Sequence, residues 1–186
     1  MQNKQASCQQ GFTLIEAMIT IAIVAILLSI AVPSFNDFFE KNRLKRAAEE
    51  VYGLVSKAKA ESVIRDADLS VSIDTANPWC VGYAVTSVAS DCCNAGACTV
   101  PVAGVDVTQQ IDGATFTGVT ITGTGAFLGG GNTSFERVRG AAAAGSVVMT
   151  TPGGWGLNVV VSSRGRVRIC GPNANTMGYI ACPPPP

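Results

Sequence analysis

The sequence predicts an α+β chain in which one long N-terminal helix packs on antiparallel β-sheets. Three features carry that prediction. An apolar run extends from Phe12 to Val32, an amphipathic helical repeat resumes after Pro33, and short β-like runs separated by turn residues follow from Leu69 onward. The chain has 186 residues, 13 Lys+Arg, 13 Asp+Glu, 7 cysteines and no histidine. That length allows one domain with an extra segment. A charged fraction of only 14 % at zero net charge excludes a coiled coil or a disordered charged tail. The absence of histidine removes most general-base, triad and zinc-hydrolase chemistries.

The apolar run reads FTLIEAMITIAIVAILLSIAV and contains one charge, Glu16. A bilayer-spanning helix needs about 20 such residues. The polar leader before it, MQNKQASCQQG, carries only Lys4. A secretory signal has a shorter apolar core followed by a small-residue cleavage site, whereas here the small residue, Gly11, comes first. An ionisable group within the run points beyond a plain anchor, because charge near a bilayer is costly and usually functional. Orientation signals conflict. Lys41, Arg43, Lys45 and Arg46 would hold the C-terminal side in the cytoplasm, while a cysteine-rich domain belongs in an oxidising compartment.

After Pro33, Leu44, Ala47, Ala48, Val51, Leu54, Val55, Ala58 and Ser62 recur at helical spacing. Lys45, Glu49, Glu50, Lys57, Lys59 and Glu61 fill the other face. The periodicity resumes, so Pro33 is expected to kink the helix rather than end it. A helix over about residues 12–66 would be roughly 80 Å long, with one half in lipid or an assembly and the other against a domain. Strands are expected at Leu69–Ile73, Val81–Val85, Ala114–Ile121, Ser146–Met149, Leu157–Ser162 and Arg166–Cys170, with turns at Gly129–Asn132 and Pro152–Gly154.

The segment GFTLIEAMITIAIVAILLSIAVPSF resembles the N-terminal signal of type IV pilins and type II secretion pseudopilins. The resemblance implies cleavage by a prepilin peptidase after Gly11, methylation of the new amine on Phe12, and an assembly role for Glu16. It also implies a domain outside the cytoplasm, which resolves the orientation conflict. The segment NRLKRAAEEVYGLVSKAKAESVIRD, the run Pro78-Trp79-Cys80-Val81-Gly82-Tyr83 and the late segment Ser163–Arg168 are similar to the GspH/FimT group of minor pilins. The cysteine-rich stretch Asp91–Cys98 and the glycines near 129–132 depart from that pattern. The expected organisation is therefore a cleaved leader over 1–11, a membrane and filament-core helix over 12–32, an amphipathic helix over 33–66, and a periplasmic β-rich domain over 67–186 ending in prolines. The expected location is the bacterial inner membrane, crossed once, and then a pilus or pseudopilus. The expected partners are other pilin subunits, the prepilin peptidase and the membrane. A carboxylate at Glu16 is tolerable in an apolar setting if a neighbouring subunit's N-terminal amine pairs with it, which would also select axial register.

Cys8 lies in the leader. Cys80, Cys92, Cys93, Cys98, Cys170 and Cys182 remain, and their connectivity is open. The expectation is a Cys170–Cys182 bond closing the C-terminal loop and pairing of the others within 80–98, with adjacent Cys92 and Cys93 not bonded to each other. A metal cluster is the rival reading. The lack of histidine and an oxidising compartment weigh against it, so no metal and no cofactor is expected.

Zero net charge hides an asymmetry. Residues 66–113 hold Asp66, Asp68, Asp74, Asp91, Asp106 and Asp112 and no cation. Residues 114–186 hold Arg137, Arg139, Arg164, Arg166 and Arg168 against Glu136 alone. Arg164, Arg166 and Arg168 alternate with Gly165, Val167 and Ile169, so in a strand the guanidiniums would share one face, roughly 7 Å apart. Asn173, Asn175 and Tyr179 in the closed loop would add polar or stacking contacts. The run Gly165-Arg166-Val167-Arg168 resembles a motif of FimT-like minor pilins linked to DNA capture in natural transformation. Three readings of the arginine face stay open: contact with double-stranded DNA, docking on an acidic neighbouring subunit, and simple solvation. The functional expectation is a structural subunit, not an enzyme: a minor pilin of a type IV pilus or its tip complex that contacts DNA. The alternative is an H-type pseudopilin of a type II secretion system with no DNA binding. Gly129-Gly130-Gly131 lacks the following Lys-Ser/Thr of a phosphate loop and reads as a turn.

Overall fold

The computed structural model describes residues 11–85, 98–129, 131–172 and 176–182, and of residues 30–34 the backbone only. Among the described residues one helix, α1 (Leu14–Ile64), precedes ten strands: β1 (Leu69–Asp74), β2 (Cys80–Val85), β3 (Thr99–Val102), β4 (Val105–Thr108), β5 (Gln110–Asp112), β6 (Thr120–Gly125), β7 (Asn132–Phe135), β8 (Gly145–Thr150), β9 (Gly156–Val161) and β10 (Val167–Cys170). The chain divides into two compact units, residues 1–38 and 39–186.

In the first unit α1 begins behind a Thr13 cap. The Glu16 amide donates to Thr13 Oγ1 at 3.3 Å and the Ala17 amide to the Thr13 carbonyl at 3.2 Å. Thr13-Leu14-Ile15-Glu16 is thus a capping-box sequence with Glu16 at the third helical position. The apolar side chains behind it are bare, with Phe12 80 % and Leu14 79 % exposed. Among the described residues no helix is long and apolar enough to cross a membrane. The side chains of 30–34, at the end of the expected span, lie outside the described residues. The helix does not end at Pro33.

In the second unit the expected stripe is the buried face of α1. Leu44, Ala47, Ala48, Val51, Val55 and Ala58 are all fully buried. Three alanines keep that face low, so two sheets share one core with it. One sheet has the order β5-β2-β1-β7 and the other β10-β9-β8-β6, with every pairing antiparallel. The first contributes Leu69, Val71, Val81, Tyr83 and Phe135, the second Val147, Met149, Leu157, Val159 and Val161. Trp79 stacks on Phe116 at 5.8 Å and donates its indole N–H to the Val119 carbonyl at 2.7 Å, which joins the two sheets.

Four strands lie outside the sequence-based expectation. In β3–β4 the turn residues Ala103 and Gly104 both have positive φ, as a two-residue hairpin requires. The alternation of Val100, Val102, Val105 and Val107 was legible, but Pro101 and Asp106 masked it. β5 and β7 are too short to show a period. The expected strand Ala114–Ile121 is corrected. It begins as a 3-10 turn at Gly113–Thr115, capped by Asp112, whose carboxylate accepts from the Ala114 amide at 2.8 Å. β6 starts only at Thr120.

Two tyrosines tie strands and loops to α1. The Tyr83 hydroxyl lies 3.0 Å from both Glu61 Oε1 and Gln109 Oε1, and Lys57 donates to the same Gln109 oxygen at 2.7 Å. Tyr179 donates to Glu49 Oε1 at 2.9 Å, with Lys45 over its ring. Burial, then the hydrogen bond to Glu61, raises the Tyr83 phenol well above the usual range. Burial and the hydrogen bond to Glu49 push Tyr179 up to about 12. Each folded-state pKa exceeds the unfolded value near 10, so this contribution is complete below about pH 10 and is lost as pH climbs through the folded value. Denaturant midpoints are expected to fall between roughly pH 10 and 12. Tyr83→Phe and Tyr179→Phe should flatten that fall, and an unchanged slope in the double variant would refute the assignment.

Candidate nucleic-acid interface

The structure corrects the expected arginine strand. Arg164 is not in a strand, and β10 begins at Val167. The reason is Gly165, whose φ of +67° turns the chain between β9 and β10. The turn closes on itself, with the Ser162 amide donating to the Arg166 carbonyl at 3.0 Å. The Gly165 amide donates to the Ser162 carbonyl at 2.7 Å, and the Arg166 amide to Ser162 Oγ at 3.0 Å. Arg164 and Arg166 are exposed on this turn. Arg168 is half-buried on the sheet, where its cross-strand partner is Val160.

A second basic turn meets the first. Between β7 and β8 the Gly140 amide donates to the Glu136 carbonyl at 2.7 Å and the Glu136 amide to the Ala141 carbonyl at 2.8 Å. This exposes Arg137 and Arg139. The turns interlock, since a Cβ placed on Gly165 would lie 1.7 Å from the Gly140 carbonyl oxygen, and the Ala142 amide donates to the Ser163 carbonyl at 3.2 Å. The Lys59 stem of α1 packs beside both glycines. Four arginines and Lys59 thus come from three separate segments to one place. Glu136 stands on the second turn, and Asp68 accepts from the Arg137 amide at 3.0 Å. Arg137 and Arg139 were visible only as members of a charge imbalance, because the contact joining them to Arg164 is a backbone approach between distant glycines.

Tyr179 is not a free stacking platform, because its ring and hydroxyl face Lys45 and Glu49 on α1. Asn173 and Asn175 lie outside the described residues. A disulfide links Cys170 to Cys182. Cys80 and Cys98 are each disulfide-bonded, while Cys92 and Cys93 lie outside the described residues. Gly11 and Phe12 are exposed ahead of the helix, as is Glu16 in its first turn.

Residues 6–32 match the prokaryotic N-terminal methylation motif. A fimbrial protein of Pseudomonas aeruginosa is 45 % identical over 67 residues, covering 36 % of this chain and 42 % of the relative. The type IV major pilin protein PilA of Myxococcus xanthus is 34 % identical over 104 residues, covering 52 % of this chain and 46 % of the relative. The chain thus spans less than half the length of these curated relatives. Among solved structures, the minor pseudopilin EpsH from the type 2 secretion system of Vibrio cholerae matches with a TM-score of 0.52 at 13 % identity, over 71 % of this chain and 99 % of that one. The type IV minor pilin FimU of Pseudomonas aeruginosa matches at 0.50 and 18 % identity, over 71 % and 91 %. At such identities these likenesses speak for the fold. The motif implies a membrane-anchored subunit of a pilus or pseudopilus. Over residues 6–32 and the stretches matched by the pilin relatives the chain is thus similar to type IV pilins, and its helix-on-sheets fold is similar to that of a minor pilin and a minor pseudopilin.

Proposed function

We propose that the chain is a minor pilin of the GspH/FimT type. A prepilin peptidase cleaves it after Gly11, residues 12–32 hold it in the bacterial inner membrane with its domain in the periplasm, and it is drawn into a type IV pilus, where it contacts DNA. The observation that carries the DNA reading is the interlocked pair of basic turns. Arg137, Arg139, Arg164 and Arg166, with Lys59 beside them, are set on a rigid backbone contact rather than on a loose tail. Guanidinium forks suit phosphate, and such contacts are independent of sequence and sensitive to salt. Arg168 sits at the margin of this patch and is not part of its exposed rim.

The test is a salt series with the full chain in detergent and a labelled DNA duplex. An Arg164→Gln/Arg166→Gln variant is expected to bind several-fold more weakly. The slope of log affinity against log salt should shrink by about 2, one for each phosphate no longer neutralised. A variant that binds like the parent at every salt concentration would end this reading. The second reading, an H-type pseudopilin of a type II secretion system, is favoured by the acidic stretch over 66–113, which offers a neighbouring copy's arginine face a docking surface. It predicts no DNA binding by the parent chain.

A further inference from the structure

We infer that the end of the domain at which α1 enters it is a docking surface for anionic phospholipid headgroups, which hold the domain on the bilayer before assembly. This rests on the membrane anchoring by residues 12–32 proposed above. Four cations, Lys41, Arg43, Lys45 and Arg46, follow the apolar run by nine to fourteen residues. With the domain outside the cytoplasm they oppose the positive-inside bias, so their cost is offset by what they do at that position.

Three segments meet at this end. Lys41 and Arg43 flank the buried stripe of α1 on its two sides. The Lys41 ammonium lies 3.7 Å from the centre of the Trp155 ring, in the β8–β9 turn. Arg43 donates to the Thr117 carbonyl, in the link before β6. A Cβ placed on Gly118 would lie 3.7 Å from the Arg43 guanidinium and 3.9 Å from Pro152, so the two loops are neighbours. Pro152, Gly153, Gly154, Thr117 and Gly118 are exposed, and Trp155 is half-buried. One turn further along α1, Lys45 lies 5.5 Å from the Tyr179 ring, and the next residue, Ile180, is 67 % exposed. Among the described residues none of the four cations is paired with a carboxylate. Glu40 instead accepts from the Gly153 amide at 3.1 Å and Glu49 from Tyr179 at 2.9 Å. Glu49 and Glu50 also stand about 12 Å or more beyond Lys41 along the helix, at 1.5 Å per residue.

This mixture suits a bilayer surface. Headgroup phosphates accept from Lys and Arg, and Trp and Tyr favour the headgroup level, where an apolar ring and a polar edge both find partners. An ammonium held over a ring by attraction to its face keeps its remaining donors for phosphate. The tether selects lipid over a second protein as the occupant. Lys41 is nine residues from Val32, and even a fully extended link of about 3.5 Å per residue keeps it within roughly 30 Å of the bilayer. Headgroups are therefore supplied to this end at high effective concentration before another subunit arrives.

The experiment places the full chain in vesicles of phosphatidylcholine brominated on its acyl chains, with or without phosphatidylglycerol, at one bromine content. Bromine quenches tryptophan at contact, and the chain has two tryptophans, of which Trp79 is buried. Emission of the parent from Trp155 is expected to be about twofold weaker in the vesicles that hold phosphatidylglycerol. It should recover as salt rises to about 1 M, where the screening length is about 3 Å. Lys41→Gln/Arg46→Gln is expected to lower the docked-to-undocked ratio roughly 30-fold, for two cations lost, and so to abolish the phosphatidylglycerol effect. Trp155→Phe should abolish it by removing the reporter. The salt recovery needs no substitution, so it decides the matter even if a variant fails to fold. Equal emission of the parent in both vesicles, quenching indifferent to salt, or an effect kept in either variant would overturn the inference. A Lys41→Gln/Arg46→Gln chain that keeps the effect but is depleted from sheared filaments would mark this end as a subunit interface and overturn it too. In each of these cases the chain still floats with the vesicles. A parent that floats with neither vesicle ends the anchoring reading, and the inference falls with it.

Discussion

A Glu16→Gln chain is expected to be cut after Gly11 and methylated on Phe12 yet to be depleted about 100-fold or more from filaments. The estimate follows from the proposed pairing of Glu16 with the N-terminal amine of a neighbouring subunit. Removing one partner of a desolvated ion pair costs about 3–5 kcal/mol, because the other charge is left uncompensated. The choice of glutamine rather than alanine matters. Glu16 also occupies the third position of the Thr13 capping box, where its own amide donates to Thr13 Oγ1. Glutamine serves a capping box as well as glutamate does, but it carries no charge. A register role therefore predicts that Gln and Ala fail alike, whereas a capping role predicts that Gln assembles normally and Ala weakens the helix start by about 1 kcal/mol. The measurement is the ratio of the chain in sheared filaments to that in the membrane, with the N-terminus of each fraction read by mass spectrometry. Filaments populated normally by the Gln chain would refute the pairing. A Gly11→Val chain, retained as unprocessed precursor, separates failed cleavage from failed assembly.

What the sequence made legible divides along physical lines. The long helix and its buried stripe were readable because one period governs many consecutive residues, and Leu44, Ala47, Ala48, Val51, Val55 and Ala58 are all buried as that period requires. The six-residue strands β1, β2, β8 and β9 were placed within a residue or two and β6 was not, while β5 and β7 carry too few residues for alternation to register. The site was harder for a different reason. Placing Arg164, Arg166 and Arg168 on one face of a strand weighed the alternating arginines and ignored Gly165, which sits at positive φ and bends the segment into a turn. Nothing local in the sequence announces that Gly165 meets Gly140, so the union of Arg137 and Arg139 with Arg164 and Arg166 is a tertiary fact. The Thr13 cap was legible in principle, since Thr13 and Glu16 stand at capping-box spacing, but the family signal over the same residues overlies it.

The contact that unites the patch makes a second large prediction, in which no charge is removed. Gly165→Ala is expected to lower stability by about 2–4 kcal/mol, or the melting midpoint by roughly 5–15 °C. Part of that is the left-handed backbone, which costs a residue with a Cβ about 1 kcal/mol. The remainder is collision, since the new Cβ would sit 1.7 Å from the Gly140 carbonyl oxygen, and backbone rather than a flexible side chain must move. Moving it separates the two turns, so DNA affinity should fall several-fold although every arginine is kept. Gly154→Ala supplies the control. Gly154 has a φ of +79°, and a Cβ placed on it would meet nothing within 4 Å, so it bears the backbone cost alone and stands apart from the basic turns. Comparing the two alanine variants isolates the geometry of the patch from the intrinsic penalty of the conformation. If they melt together and bind DNA alike, the interlocked glycines do not build the site. If Gly165→Ala loses both stability and affinity while Gly154→Ala loses only the smaller increment of stability, the arginines act as a set whose spacing is fixed by a backbone contact. In that case their summed charge alone does not account for binding.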